Sequence, residues 1–293
     1  MKLASFLRAC VVWLVLAQFS SATRIYMKIG DIKGEAMHPD YPSWIAVDTL
    51  EFSGAFFNGT AGSFTLVKSP DRSSPKLVRA LEGKRYLKRV TVAFLKGAPN
   101  DATGEGLEFA RLLFRDVVVE ACEQETATGE SGEPVCLEKF QLSFCAVLFR
   151  YESDLGDAEA TYADLDNGVD SDSDGMTDRF EDFFGLDKTS DDADLDSDGD
   201  GLTHLDEFRL GLNPRLSSSS FVPVGDSDPQ EPGRFRLTWA TKPAKSYDIY
   251  ATPDLTKEPV FLRRVQASEL DTSVSFLREQ ARGFFSIREV VER

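Results

Sequence analysis

Two stretches of the chain place acidic side chains at a spacing that suits a divalent cation. The first reads Asp170-Ser-Asp172-Ser-Asp174-Gly175-Met176-Thr-Asp178-Arg-Phe-Glu181, and the second Asp196-Ser-Asp198-Gly-Asp200-Gly201-Leu202-Thr-His204-Leu-Asp206-Glu207. A twelve-residue calcium loop needs oxygen ligands at positions 1, 3 and 5, a sharp turn at 6, a main-chain carbonyl at 7 and a bidentate acid at 12. Asp170, Asp172, Asp174, the Met176 carbonyl and Glu181 meet that demand in the first stretch. Asp196, Asp198, Asp200, the Leu202 carbonyl and Glu207 meet it in the second. Position 9 is Asp178 in the first loop and His204 in the second, where a water is the better ligand. Two Ca²⁺ sites are therefore expected. Asp192 and Asp194 stand behind the loop positions as additional ligands. A solvated acidic linker is the alternative, but acidity alone does not put glycine at position 6 twice.

Each loop runs into a short helix-like stretch, Arg179 to Phe184 and Leu205 to Leu210, closed by Gly185 and Gly211, so the repeat is about 26 residues long. Residues 152–214 hold 21 acids against Arg179, Lys188 and Arg209, a charge of −18 in a chain whose total is −16. The low pI therefore belongs to one segment. Such a segment has few apolar side chains to offset chain entropy, and two bound cations would both neutralise and order it. A basic footprint is absent, which excludes nucleic acid as an expected partner.

Residues 1–22 read as a secretory signal: Lys2 and Arg8, an apolar run from Ala9 to Phe19, then Ser20-Ser21-Ala22, with Thr23 as the first residue after cleavage. An uncleaved anchor is the alternative. No later stretch is apolar enough to span a bilayer. The expected location is secreted, periplasmic or at the cell surface. Cys122, Cys136 and Cys145 are odd in number, so at least one is unpaired within the chain or pairs outside it. Cys122 and Cys136 bracket a polar loop and are a candidate disulfide across its base. Scattered cysteines lack zinc-ligand spacing.

From Arg24 to Tyr151 the pattern is mainly β. Ile25 to Ile29, Trp44 to Val47, Leu50 to Phe57, Ser63 to Lys68 and Arg89 to Phe94 read as strands. Leu107 to Glu120 and Leu137 to Tyr151 read as two long antiparallel strands. Ser74-Pro75 opens one helix, with Leu77, Val78 and Leu81 on its apolar side and Gly83 closing it. Residues 152–168 read as linker or lead-in to the cation loops, and Leu216 to Gly233 as a linker. The tail from Arg234 alternates again, as a small β module. Trp239, Tyr247 and Tyr250 read there as core and cross-strand packing, with a ligand face as the alternative.

The segment Ile25-Tyr-Met-Lys-Ile-Gly-Asp-Ile-Lys33-Gly34-Glu35, followed by Trp44-Ile45-Ala-Val47, resembles the start of the Hcp (haemolysin-coregulated protein) family, the tube protein of type VI secretion. Ser74-Pro75-Lys76-Leu77, Arg89 to Phe94, Phe114 to Val119 and Phe140 to Tyr151 continue the resemblance in order. The resemblance implies a two-sheet β-barrel with one flanking helix, assembling as a hexameric ring that presents effectors. The cation repeats resemble thrombospondin type-3 repeats and are EF-hand-like in their loops.

The expected organisation is signal 1–22, Hcp-like barrel 23–151, calcium spacer with short helices 152–216, linker 217–233 and a small sandwich-like β module 234–293. Partners implied are a second copy of the chain in a ring, and a cell-surface or effector protein. No nucleophile constellation accompanies the two histidines, His38 and His204, so no enzyme activity is expected. His38 reads as a solvated loop residue. The readings carried forward are an exported ring-forming or partner-binding protein, a genuine type VI tube or effector-linked subunit, and a calcium-dependent adhesin or matrix protein.

Overall fold

A computed structural model describes residues 23–53, 62–96, 106–129, 131–152, 158–166, 168–219, 221, 223–228, 231, 233–277 and 283–290. The expected signal at 1–22 lies outside the described residues. Among those that are described, no helix is long and apolar enough to cross a membrane. The chain divides into two compact units, residues 1–171 with 177–185 and residues 172–176 with 186–293. The division runs through the acidic segment.

The first unit is mainly β. Its strands are β1 (Thr23–Ile29), β2 (Ile45–Val47), β3 (Thr49–Ser53), β4 (Gly62–Lys68), β5 (Leu87–Lys96), β6 (Leu107–Thr128), β7 (Pro134–Phe144), β8 (Ala146–Glu152) and β9 (Ala158–Ala163). Helix α1 (Ser74–Glu82) lies between β4 and β5. Alternation drives the strands. Ile25, Met27 and Ile29 turn inward on β1, as do Phe64 and Leu66 on β4. Rings stack at the centre, with Phe64 and Phe114 centroids 4.6 Å apart. Leu77 and Ala80 of α1 join the same core.

The expected closed barrel is not what the strands form. The sheet runs β2-β1-β5-β6-β7-β4-β3, with β8 on β6 and β9 on β8, and no ladder among the described residues joins β2 to β3. Only Asp48 separates those two end strands in sequence, too short a link for them to pair with each other. Each pairs outward instead, β2 with β1 and β3 with β4, so the chain itself crosses the gap.

The stretch expected as one strand, Leu137 to Tyr151, is two. The break falls at Cys145, opposite a corner in β6 where Asp116 takes a left-handed backbone, φ 47°. Before the corner β6 pairs with β5 and β8; beyond it, with β7. Core-facing positions change phase across the corner, from Leu112 and Phe114 to Val117 and Val119 and from Leu142 and Phe144 to Val147 and Phe149, but the unbroken apolar run Phe144 to Phe149 hides the shift and reads as a single strand. Residues 158–163, read as part of an acidic linker, are the edge strand β9 paired with β8.

The second unit contains two three-stranded antiparallel sheets. One orders β10 (Val224–Ser227), β11 (Arg234–Ala240) and β14 (Asp271–Leu277); the other orders β13 (Val260–Gln266), β12 (Ser246–Thr252) and β15 (Phe284–Glu289). Leu237, Trp239, Tyr247, Ile249, Val274 and Phe276, drawn from both sheets, share one core. Trp239 and Tyr247 meet edge to face at 6.2 Å, so these two aromatics are core. Tyr250 packs edge to face on Phe261 at 5.7 Å.

Candidate metal centre

Each loop leads into a seven-residue helix, α2 (Asp178–Phe184) and α3 (His204–Leu210). Thr177 and Thr203 cap them, accepting from the main-chain N–H of Phe180 and Asp206. Left-handed Gly185 and Gly211 end them. The caps fix where each loop stops and its helix starts. They thereby place Glu181 and Glu207 one turn into a helix, each facing inward and fully buried. Burying a carboxylate is costly unless positive charge is supplied.

In the second loop, Asp196, Asp198 and Asp200 offer carboxylate oxygens within 4.8 Å of one another; Asp170, Asp172 and Asp174 do the same in the first. Position 6 must fold the chain back under these ligands, and Gly175 and Gly201 do so at φ 97° and 94°, a conformation that a β-carbon disfavours. The Oδ2 atoms of Asp174, Asp198 and Asp200 are buried with no hydrogen-bond partner among the described residues. Buried acceptors without donors fit a cation better than they fit an empty acidic turn.

The electrostatics of the second loop agree with this fit. Burial, then the neighbouring Asp200 charge, raises the Asp198 carboxyl above its ordinary value. The N–H groups of Gly201 and Gly199 hold the Asp196 carboxyl below its own. The donors stabilise the Asp196 carboxylate, and a bound cation would offset the burial and repulsion that act on Asp198.

Position 9 plays the same part in both loops. Asp178 accepts from the Ser171 N–H at 2.8 Å and from the Ser171 hydroxyl at 2.7 Å. His204 Nε2 lies 2.7 Å from the hydroxyl of Ser197, again the position-2 residue. The side chain at position 9 therefore braces the loop. Met176 is fully buried and Leu202 partly so. Asp192, outside either loop, brings a carboxylate oxygen within 4.8 Å of one from Asp174. Its signal in the sequence was only that it is acidic and lies between the loops.

Residues 26–151 match the family model described as type VI secretion system effector, Hcp. Residues 26–151 are an Hcp domain. The match spans less than half of the chain. Among solved structures, Hcp1 from Salmonella typhimurium is 21% identical, covering 49% of this chain and 95% of that one, with a TM-score of 0.43. A type VI secretion system effector from Yersinia pestis is 18% identical over 48% and 98% of the two chains, TM-score 0.40. Hcp3 from Pseudomonas aeruginosa is 14% identical over 48% and 97%, TM-score 0.38. No curated protein matches the chain.

Two expectations within the Hcp domain need correction. Cys122 and Cys136 are not a disulfide. In the β6–β7 ladder Cys136 sits opposite Thr126 and Cys122 opposite Phe140. Four residues of offset are roughly 13 Å at about 3.3 Å per residue, beyond the ~7 Å that a disulfide tolerates. Cys122 and Cys136 are both free thiols. The sequence showed both cysteines flanking the turn but not the register.

His38 is buried rather than solvated. Its Nδ1 accepts the Asp40 N–H at 3.2 Å, and its ring lies 5.4 Å from Tyr26 and 5.1 Å from Tyr41. These rings and Trp44 form a small second core over Ala93 and Leu95. The Tyr41 hydroxyl donates to Glu108, and burial together with that carboxylate pushes the phenol up to about 12.

The second repeat is tied to the sheets of its own unit. Lys242 Nζ donates to the Phe208 carbonyl at 2.8 Å and sits 5.4 Å over the Phe208 ring. A cation there complements the carbonyl end of α3. The Lys242 N–H in turn donates to the Tyr247 hydroxyl at 3.0 Å, inside the core.

Proposed function

We propose that this chain is an exported, non-enzymatic protein whose Hcp domain assembles as a ring or binds a partner, and whose C-terminal part is stiffened by two Ca²⁺ ions. The observation that carries this reading is the repeated loop after the Hcp domain. In both copies three carboxylates converge, glycine is left-handed at position 6 and a glutamate is buried at position 12. Calcium at about millimolar concentration, as outside cells, suits sites of this extracellular kind. The two ions order a segment whose own charges repel, and so set the spacing between what precedes and follows it. Recognition belongs to the domains on either side.

The test is light scattering of residues 23–293 after size exclusion, with calcium and with chelator. A ring predicts a mass six times that of one chain in both conditions, and a smaller hydrodynamic radius with calcium. A monomer in both conditions overturns ring assembly. An unchanged radius and proteolysis pattern overturn the calcium role. Amino-terminal sequencing of exported material is expected to start at Thr23.

A second reading, a tube or effector-linked subunit of type VI secretion, is favoured by the family match of residues 26–151. Stacked rings in electron micrographs of the purified chain, with an unprocessed amino terminus in vivo, would select it.

A further inference from the structure

We propose that Asp192 is a ligand of the first loop's cation although it lies outside both twelve-residue loops, and that His204 of the second loop positions it there. The second repeat then completes the site of the first, and the two sites load cooperatively. This deepens the calcium reading of the loops and rests on it.

Three observations carry the proposal. First, Asp192 and Asp174 hold carboxylate oxygens within 4.8 Å of each other, and Asp174 Oδ2 is buried with no hydrogen-bond partner. Two carboxylates at that separation repel unless a cation lies between them. Second, Asp192 is held in place on both oxygens. The Asp187 N–H donates to Oδ2 at 3.3 Å, and His204 Nδ1 lies 3.2 Å from Oδ1. An ionised carboxylate only accepts, so Nδ1 carries the imidazole proton. In the neutral ring Nε2 then accepts the Ser197 hydroxyl proton across 2.7 Å. Both ring nitrogens are therefore committed, and the imidazole is not offered to the second loop's own cation. Each Asp192 oxygen keeps a lone pair for a metal. An imidazole whose N–H orients a ligating carboxylate is a second-layer support of the kind that tunes metal affinity.

Third, the second repeat is fastened beside the first loop. The His204 N–H donates to the Leu195 carbonyl at 2.8 Å and the Leu205 N–H to the Ala193 carbonyl at 3.1 Å. The Leu205 side chain packs so closely on Gly175 that a β-carbon there would lie 3.2 Å from its Cδ1. Ordering the start of α3, which closing the second loop requires, orders residues 193–195 and with them Asp192.

The test is calcium titration calorimetry on residues 23–293. Glu207→Gln isolates the first site and Glu181→Gln the second. On the Glu207→Gln background, Asp192→Asn and His204→Ala are each expected to weaken binding roughly tenfold or more. His204→Asn, which keeps a donor near the Nδ1 position, should restore most of that loss. On the Glu181→Gln background Asp192→Asn should not change affinity by more than about twofold, whereas His204→Ala, which also removes the brace to Ser197, should weaken the second site as well. The proposal is overturned if Asp192→Asn leaves the first site unchanged or weakens the second site as much as the first, or if His204→Ala leaves the first site unchanged. A parent chain that binds no calcium overturns the underlying calcium reading, and the proposal with it; that result appears before any substitution is made.

Discussion

Lys68 Nζ lies 2.9 Å from Glu138 Oε2, and the two residues face each other across the β4–β7 ladder on its core side. Strand alternation puts Lys68 on the same face as Phe64 and Leu66, and Glu138 on the face of Phe140 and Leu142. The Ser74 hydroxyl, at the start of α1, accepts from Lys68 at 2.9 Å and donates to Glu138 at 2.6 Å. A buried ion pair thus ties the helix to two strands. Removing Lys68 leaves Glu138 and Asp71 without their shared cation and costs about 3–5 kcal/mol; removing Glu138 costs less, because Lys68 keeps Asp71 at 3.0 Å. Lys68→Met and Glu138→Gln should each lower the urea midpoint of the transition reported by Trp44 fluorescence. Replacing both, Lys68→Met with Glu138→Leu, should recover part of the loss, because the Glu138 charge goes with its partner while Asp71 still loses Lys68. A double variant as unstable as the sum of the singles would refute this account.

The same network makes a prediction about acid. Burial raises the Asp71 carboxyl, but the Ser73 hydroxyl and the Lys68 ammonium outweigh it, and the group ends below its ordinary value. A depressed carboxyl contributes stability above its unfolded pKa of about 3.9. That stability is lost as pH falls through the lower folded value. Asp71→Asn should therefore flatten the fall in stability below about pH 4 and lower stability at neutral pH. Unfolding midpoints measured from pH 6 to pH 2 read both effects.

Glu181 and Glu207 close separate loops, so each loss should remove one ion, with the remaining site weakened where the loops are coupled. The parent chain is expected to bind two calcium ions, and Glu181→Gln or Glu207→Gln one each. A single substitution that abolishes both ions would mean one shared site. Chelator should raise proteolysis within residues 170–207 while the β core, which owes its packing to apolar side chains, stays protected.

Thiol labelling follows exposure. Cys136 is exposed, Cys122 half-buried and Cys145 buried. Burial also raises the Cys122 thiol above its ordinary value, which slows it further because the thiolate is the reactive form. In the native protein Cys136 should be alkylated first and Cys145 only on unfolding. A disulfide-linked Cys122–Cys136 peptide in a non-reducing digest would contradict the β6–β7 register.

Much of this architecture was legible from residue order alone, because it rests on local chemistry. Alternating side chains specify strands, Ser74-Pro75 opens a helix, and the spacing of acids and glycine in Asp170–Glu181 and Asp196–Glu207 specifies a turn that gathers carboxylates. What pairs with what was not legible. The core-facing phase shifts at Asp116 and Cys145, but the unbroken apolar run Phe144 to Phe149 hides it, so the corner that splits one apparent strand into β7 and β8 is not read from the pattern. Register decides that Cys136 meets Thr126 rather than Cys122. Burial of Lys68, Glu138 and His38 depends on partners up to seventy residues away in sequence. The sequence by itself determined the local units: strands, caps and acidic loops, each set by near neighbours. Only the tertiary structure decided the open ends of the nine-stranded sheet, the separation of Cys122 from Cys136 and the approach of Asp192 to Asp174. Those depend on contacts between segments, which local periodicity does not encode.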